Sequence, residues 1–216
     1  MNDLQERQTS LAERLEKQAS SLQSHKLEEL CVILVDASGS MHERCEDGHT
    51  KLEAVKLALP NLQVVGRRVA YGLITFSTGA TPLQTPTSNF GLILGQMEGV
   101  TSGSMTNIPS AIRGGIEMFM GKHTQRKRMI LLSDGQSNEE QANLPLLIKQ
   151  CMEDGIVIDT IAFGKDADEM LLREIAKLTG GVFYSAKAGV KQLAEVYKKL
   201  NFNVRYLTHK EGAINL

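Results

Sequence analysis

Asp36-Ala37-Ser38-Gly39-Ser40 places one carboxylate and two hydroxyls at alternate positions. The stretch follows an unbroken apolar run, Leu30-Cys31-Val32-Ile33-Leu34-Val35. Such a run reads as a strand buried on both faces, suited to the middle of a parallel sheet. Ligands of open α/β sheets bind beyond the carboxyl ends of the strands, so chemistry is expected where this strand stops. The donor set is all oxygen, which suits a hard cation such as Mg²⁺. A second apolar run, Met129-Ile130-Leu131-Leu132, stops in the same way at Ser133-Asp134-Gly135. Central strands lie near one another, so Asp36 and Asp134 should face one crevice. Between them in sequence, Thr101-Ser102-Gly103-Ser104-Met105-Thr106-Asn107 forms a Gly- and hydroxyl-rich loop leading into a helix. A loop of this kind can lay a hydroxyl against a bound ion at low steric cost.

The elements that must position these residues alternate between strand and helix. Val69 to Phe76 reads as a second strand, Ile156 to Phe163 as another, and Val182-Phe183-Tyr184 as a last one. Thr81 to Thr85 suits a short edge strand, because Pro82 and Pro86 belong at edges or ends. Helical periods run through Leu52, Val55, Leu59 and Leu62, then Phe90 to Met97, then Ile112, Ile116 and Phe119 after Asn107-Ile108-Pro109. Further helices span Leu144 to Met152, the stretch carrying Met170, Leu172 and Ile175, and the one carrying Leu193, Val196, Tyr197 and Leu200. Asp166 with Glu169 is expected to form a capping box, and Gly180-Gly181 to end the helix that follows it. The pattern predicts an α/β fold: a doubly wound, mostly parallel, Rossmann-like central sheet with helices on both faces.

Ahead of this body, residues 1–28 carry Leu4, Leu11, Leu15 and Leu22 at spacings of seven, four and seven. This reads as an N-terminal amphipathic helix that packs on its own domain, or one that forms a weak homo-oligomer seam or meets a partner helix. The expected organisation is that helix over 1–28, one domain over 29–200, and a tail over 201–216 without a clear period.

The chemistry-bearing residues resemble the metal-ion-dependent adhesion site (MIDAS) of the von Willebrand factor A domain family. That pattern is Asp-x-Ser-x-Ser, a distant Thr, and a later Asp at a strand end. It falls here on Asp36, Ser38 and Ser40, then Thr106, then Asp134. Met41 after the second Ser, Thr106-Asn107-Ile108 opening a helix, and Leu178-Thr179-Gly180-Gly181 before the last strand also agree. One departure is Gly103-Ser104-Met105-Thr106 in place of the commoner Gly-Gly-Thr, so the path of this loop does not follow from the resemblance. The resemblance implies that Ser38, Ser40 and Thr106 place hydroxyl oxygens on Mg²⁺, with Mn²⁺ and Ca²⁺ as alternative occupants. It implies that Asp36 and Asp134 act mostly through bound waters and by orienting the hydroxyls. Few direct negative ligands leave such an ion under-neutralised, and the family uses its vacant position to bind an Asp or Glu of a protein partner. Intracellular members often serve as adaptors, including in assemblies driven by AAA+ ATPases. The plainer alternative, that these Ser and Asp residues only cap turns and helices, does not account for two such loops at the ends of the two most apolar strands.

Composition narrows the remaining classes. With 24 basic and 25 acidic residues, a net charge of -1, 5% aromatics and no Trp, the chain offers no case for nucleic acid or an anionic membrane. Cys31, Cys45 and Cys151 form no disulfide framework, and the first residues lack a secretory core; both favour a cytoplasmic protein. His42, Cys45 and His49, with Glu43, Glu46 and Asp47, supply too few good ligands at no familiar zinc spacing and read as a solvated loop. Gln125-Arg126-Lys127-Arg128 reads as a solvated turn. Gly115 to Lys122 has one residue too many for a phosphate loop and reads as a helix. Ser38 has no assignable His base and no nucleophile-elbow glycines, so the expectation is a Mg²⁺-dependent interaction module and not an enzyme. A metal-dependent hydrolase using His42 as base, and a structural subunit assembling through residues 1–28, are the alternatives.

Overall fold

The structure, a computed structural model, describes residues 27–64, 68–122, 124–135 and 141–212. The amphipathic seam read for residues 1–28 therefore lies almost wholly outside the described residues. Strand β1 (Glu29–Asp36) is buried along its whole length, as an uninterrupted branched apolar run demands. It is followed by a 3₁₀ turn (Gly39–His42), helix α1 (Lys51–Ala58), β2 (Val69–Phe76) and β3 (Ala80–Thr87). Then come α2 (Phe90–Glu98), α3 (Ile108–Phe119), β4 (Arg126–Ser133), α4 (Leu144–Glu153), β5 (Ile156–Phe163), α5 (Glu169–Thr179), β6 (Phe183–Ala186) and α6 (Val190–Gly212).

The strands form one six-stranded sheet in the order β3-β2-β1-β4-β5-β6. All neighbours are parallel except β3, which runs antiparallel along the edge. Side chains alternate across β1 and so feed two cores. Cys31, Ile33 and Val35 pack with Leu52 and Val55 of α1, Phe90 and Ile93 of α2, and Leu193 and Tyr197 of α6. Leu30, Val32 and Leu34 pack with Ile112 of α3, Ile148 of α4 and Ile175 of α5. This is the doubly wound, mostly parallel arrangement that the alternating pattern predicts. The order of connection reverses between β1 and β4, so the crevice above their carboxyl ends is the topological switch point of the sheet. No described helix is long and apolar enough to cross a membrane.

The helix termini follow local chemistry. Thr50 and Glu53 form a reciprocal capping box at the start of α1, at 3.1 and 2.7 Å. Asn107 caps α3 by accepting from the Ser110 N–H at 2.9 Å, with Pro109 in the first turn. Four expectations need correction. Arg126 to Arg128 do not form a solvated turn; they begin β4, and Arg128 is buried, paired with Asp159 and Glu29. The cap of α5 is Asp168, which accepts from the Leu171 N–H at 2.9 Å, because the Glu169 carboxylate is drawn instead to Lys187 and Ser185. Val182 precedes β6, its N–H taken by Asp159 at 2.6 Å. The last helix runs past the periodic residues to Gly212.

Gly180 ends α5 with φ +75°, and Gly181 donates back to Ala176 at 2.8 Å. A Cβ on Gly181 would stand 2.0 Å from the Ile158 carbonyl oxygen, whereas one on Gly180 would meet open space. Gly180→Ala is expected to lose only the left-handed backbone preference, about 1 kcal/mol. Gly181→Ala must move a backbone strand and is expected to lose about 3 kcal/mol. Urea denaturation of the two variants side by side measures the difference, and equal losses would contradict the close approach.

Candidate metal centre

Asp36 is the last residue of β1, and its side chain is fully buried at the switch point. Its Oδ1 accepts the Ser38 backbone N–H at 2.8 Å, which curls the chain back immediately after the strand. Its Oδ2 accepts the Ser133 hydroxyl at 2.6 Å, tying the end of β1 to the end of β4. The hydroxyls of Ser38 and Ser40 are 3.0 Å apart. The Ser40 hydroxyl donates to Asp134 Oδ1 at 2.7 Å. The 3₁₀ turn that carries Ser40 is pinned by Met41, which is fully buried in the core on the α1 side.

The third loop packs on the first. Gly103 donates its N–H to the Ala37 carbonyl, and Gly39 donates to Ser104 O at 3.2 Å. Only glycine fits at position 103, since a Cβ there would lie 2.7 Å from the Ser77 hydroxyl oxygen. Asn107, buried at the start of α3, holds the Thr78 carbonyl at 2.9 Å. Between these anchors Thr106 is buried and brought to the crevice. The structure thus brings together Asp36, Ser38, Ser40, Thr106 and Asp134, residues that span almost a hundred positions of sequence.

The donor set suits a divalent cation. A Cβ on Gly135 would stand 3.4 Å from the Thr106 hydroxyl and 3.7 Å from the Ser40 hydroxyl. These two hydroxyls therefore border a space that glycine leaves open, flanked by two carboxylates with no exposure. Hydroxyls with carboxylates behind them fit Mg²⁺, a hard ion that takes oxygen and keeps water. By contrast, no three His, Cys, Asp or Glu side chains among the described residues gather as a metal set. The 42–49 loop has a structural task instead: Asp47 accepts the Val190 N–H at 2.8 Å, at the first residue of α6. Cys31 and Cys151 are buried free thiols.

The roles of two residues escaped the sequence reading. Ser133 holds Asp36, and its signal was present in the Ser-Asp-Gly triplet. Lys51 donates to Asp134 Oδ2 at 2.7 Å and to Glu43 Oε2 at 2.6 Å. No sequence signal marks that pair, because it depends on where α1 starts relative to the end of β4.

Burial dominates the electrostatics. It pushes the Asp36 carboxyl up to about 6, against the bonds from Ser133 and Ser38 that favour its charge and together with the neighbouring Asp134 that opposes it. Burial pulls the Lys51 ammonium down, but its bonds to Asp134 and Glu43 outweigh this and leave its pKa above the ordinary lysine value.

The profile of the von Willebrand factor type A domain matches residues 31–199. The chain belongs to this family. A 26S proteasome non-ATPase regulatory subunit 4 homolog from Arabidopsis thaliana is 28% identical over 137 residues, covering 58% of this chain and 35% of that protein. The chain therefore spans about a third of that relative's length. Among solved structures, a von Willebrand factor type A protein from Catenulispora acidiphila superposes with a TM-score of 0.69 at 21% identity, over 81% of this chain and 42% of that one. Proximal thread matrix protein 1 from the mussel byssus, solved with a zinc-occupied MIDAS motif, superposes at 0.66 and 20% identity, over 82% of this chain and 46% of that one. At these identities the structural likeness shows the A-domain fold.

Asp36 gives a pH signature in chelator. A carboxyl whose folded pKa is raised stabilises most when protonated, and that contribution is lost as pH rises through about 6. Asp36→Asn carries no charge at any pH. Its stability relative to wild type is therefore expected to increase between pH 4 and pH 7 in urea denaturation. A relative stability that stays flat or falls would contradict the assignment.

Proposed function

We propose that this A domain is a protein-interaction module. It grips an acidic side chain of a partner through a Mg²⁺ held by Ser38, Ser40 and Thr106, with Asp36 and Asp134 behind them. The observation that carries this reading is the continuous chain of hydrogen bonds from Ser38 through Ser40 to Asp134, closed on the other side by Ser133 and Asp36. It fixes hydroxyl oxygens at the mouth of the crevice and sets carboxylates beneath them. The ion, when bound, supplies a positive centre with coordination positions left for water or an outside carboxylate. The chain's own residues do the rest. Ser133 and the Ser38 N–H keep both Asp36 oxygens occupied, so this carboxylate is oriented and unavailable to partners. Asp134 turns Ser40 and is itself held by Lys51.

A polar cleft of about 380 Å³ opens beside the crevice, bordered by Ala37, Ser77, Gln96, Thr101, Ser102 and Gly103. It has room for the peptide flanking a partner's acidic residue. The Arabidopsis relative is by name a non-ATPase subunit of the 26S proteasome. This supports a partner within a large multi-subunit, ATPase-driven assembly. Three free thiols and no disulfide fit a cytoplasmic setting. The hydrolase reading has no support of this kind: His42 is exposed, and Asp36 and Asp134 are held by serines and a lysine.

Ser40→Ala removes one donor without adding bulk. Calorimetric titration with MgCl₂ is expected to show binding by wild type and at least about a tenfold loss in Ser40→Ala, in line with the loss of an oriented metal ligand. Capture of partners by the wild-type chain is expected with Mg²⁺ and to be lost with chelator or with Ser40→Ala. Equal recovery in all these conditions would overturn the adaptor reading.

A further inference from the structure

Lys51 sits where ordinary rules would not put it. It is the first residue of α1, where the helix dipole favours anions. It is also buried, with only 5% exposure, a state lysine adopts almost only when paired. Four separate segments make its place. Thr50 starts the helix beneath it, Glu43 accepts from it on the solvent side, and Asp134 accepts from it on the inner side. At the end of β5, Gly164 has φ +100°, and a Cβ there would lie 3.0 Å from Lys51 Cε and 3.3 Å from Nζ. A backbone position that favours glycine thus leaves the ammonium its space.

The two oxygens of Asp134 consequently face different partners. Oδ1 takes the hydroxyl of Ser40, and Oδ2 takes the ammonium of Lys51. We propose that Lys51 is a positioning residue that sets the cation affinity of this site. It neutralises Asp134 and holds Oδ2 on the α1 side, turned to the ammonium and not to the hydroxyls. The proposal rests on the reading of these loops as a metal site. A divalent ion beside Asp36 and Asp134 alone would give a formally neutral centre; the fixed ammonium leaves it positive by one charge. Metal binding is weakened by that repulsion, which salt screens only weakly where the pair is buried. Glu43, on the exposed side, partly offsets the lysine charge, so the two residues should move affinity in opposite directions.

The test is calorimetric titration of the full chain with MgCl₂ after chelator stripping, with a thermal melt in chelator to check folding. Lys51→Met is expected to bind Mg²⁺ about tenfold more tightly than wild type. Lys51→Arg, which keeps the charge, is expected to stay near wild type. Glu43→Gln, a change at an exposed side chain, is expected to bind about threefold more weakly, a smaller effect because solvent screens it. A lysine with a merely structural role would not produce opposite signs, nor rescue by arginine. Folded Lys51→Met with unchanged or weaker Mg²⁺ affinity overturns the proposal, and so does Glu43→Gln that binds as tightly as wild type or better. If Lys51→Met does not fold, the Glu43→Gln and Lys51→Arg results decide. Binding by Lys51→Met where wild type is silent supports it strongly. Wild type that binds Mg²⁺ with an affinity indifferent to Lys51 removes this proposal alone. Silence in every variant removes it together with the metal reading.

Discussion

Two carboxylates without solvent, side by side at the crest of a parallel sheet, are the constraint on which this fold's upper face is built. Burying a carboxylate is costly unless every lone pair finds a donor. Asp36 and Asp134 find theirs in four different segments: the turn after β1, the end of β4, the 3₁₀ turn and the start of α1. Each donor is positioned by something unrelated to the site. Met41 roots the 3₁₀ turn in the core, the Thr50–Glu53 box starts α1, and the β1–β4 register sets Asp36 beside Ser133. The crevice is therefore a product of the whole sheet and not of one loop.

The lower half of the sheet solves a similar problem differently. Arg128 of β4 lies buried among Asp159 and Glu29, with its guanidinium also reaching the Leu200 carbonyl at 3.4 Å. There both signs of charge are internal to the fold. The crest has the same two acids to one base, Asp36 and Asp134 with Lys51, but there the hydroxyls of Ser40 and Thr106 also border a space that Gly135 leaves open. The contrast separates a cluster that fastens α6 to the sheet from one suited to an external cation.

Much of this could be read from sequence because strand alternation and strand ends are strongly marked. The run from Leu30 to Val35, short and rich in branched residues, read as a two-sided strand, and Asp36 and Asp134 followed from where the apolar runs stop. The position of Thr106 was readable as a type in a loop, but its path required the contacts of Gly103 with Ala37 and Ser77. Arg128 was misread because a basic cluster carries no sign of its buried partner; Asp159 lies on the neighbouring strand and meets it only through register. Lys51 was invisible for the same reason. A helix-opening lysine looks solvated until the end of a strand more than eighty residues away is laid against it.

The rims of the sheet decide how another polypeptide can approach. On one side Pro82 and Pro86 of β3 have no N–H to offer an incoming strand, and on the other β6 is only four residues long. Lateral zippering of a foreign backbone, with its low sequence selectivity, is thereby discouraged. Under the proposed function, that leaves the end-on approach, in which a single side chain would enter from above and identity would be judged by charge and reach.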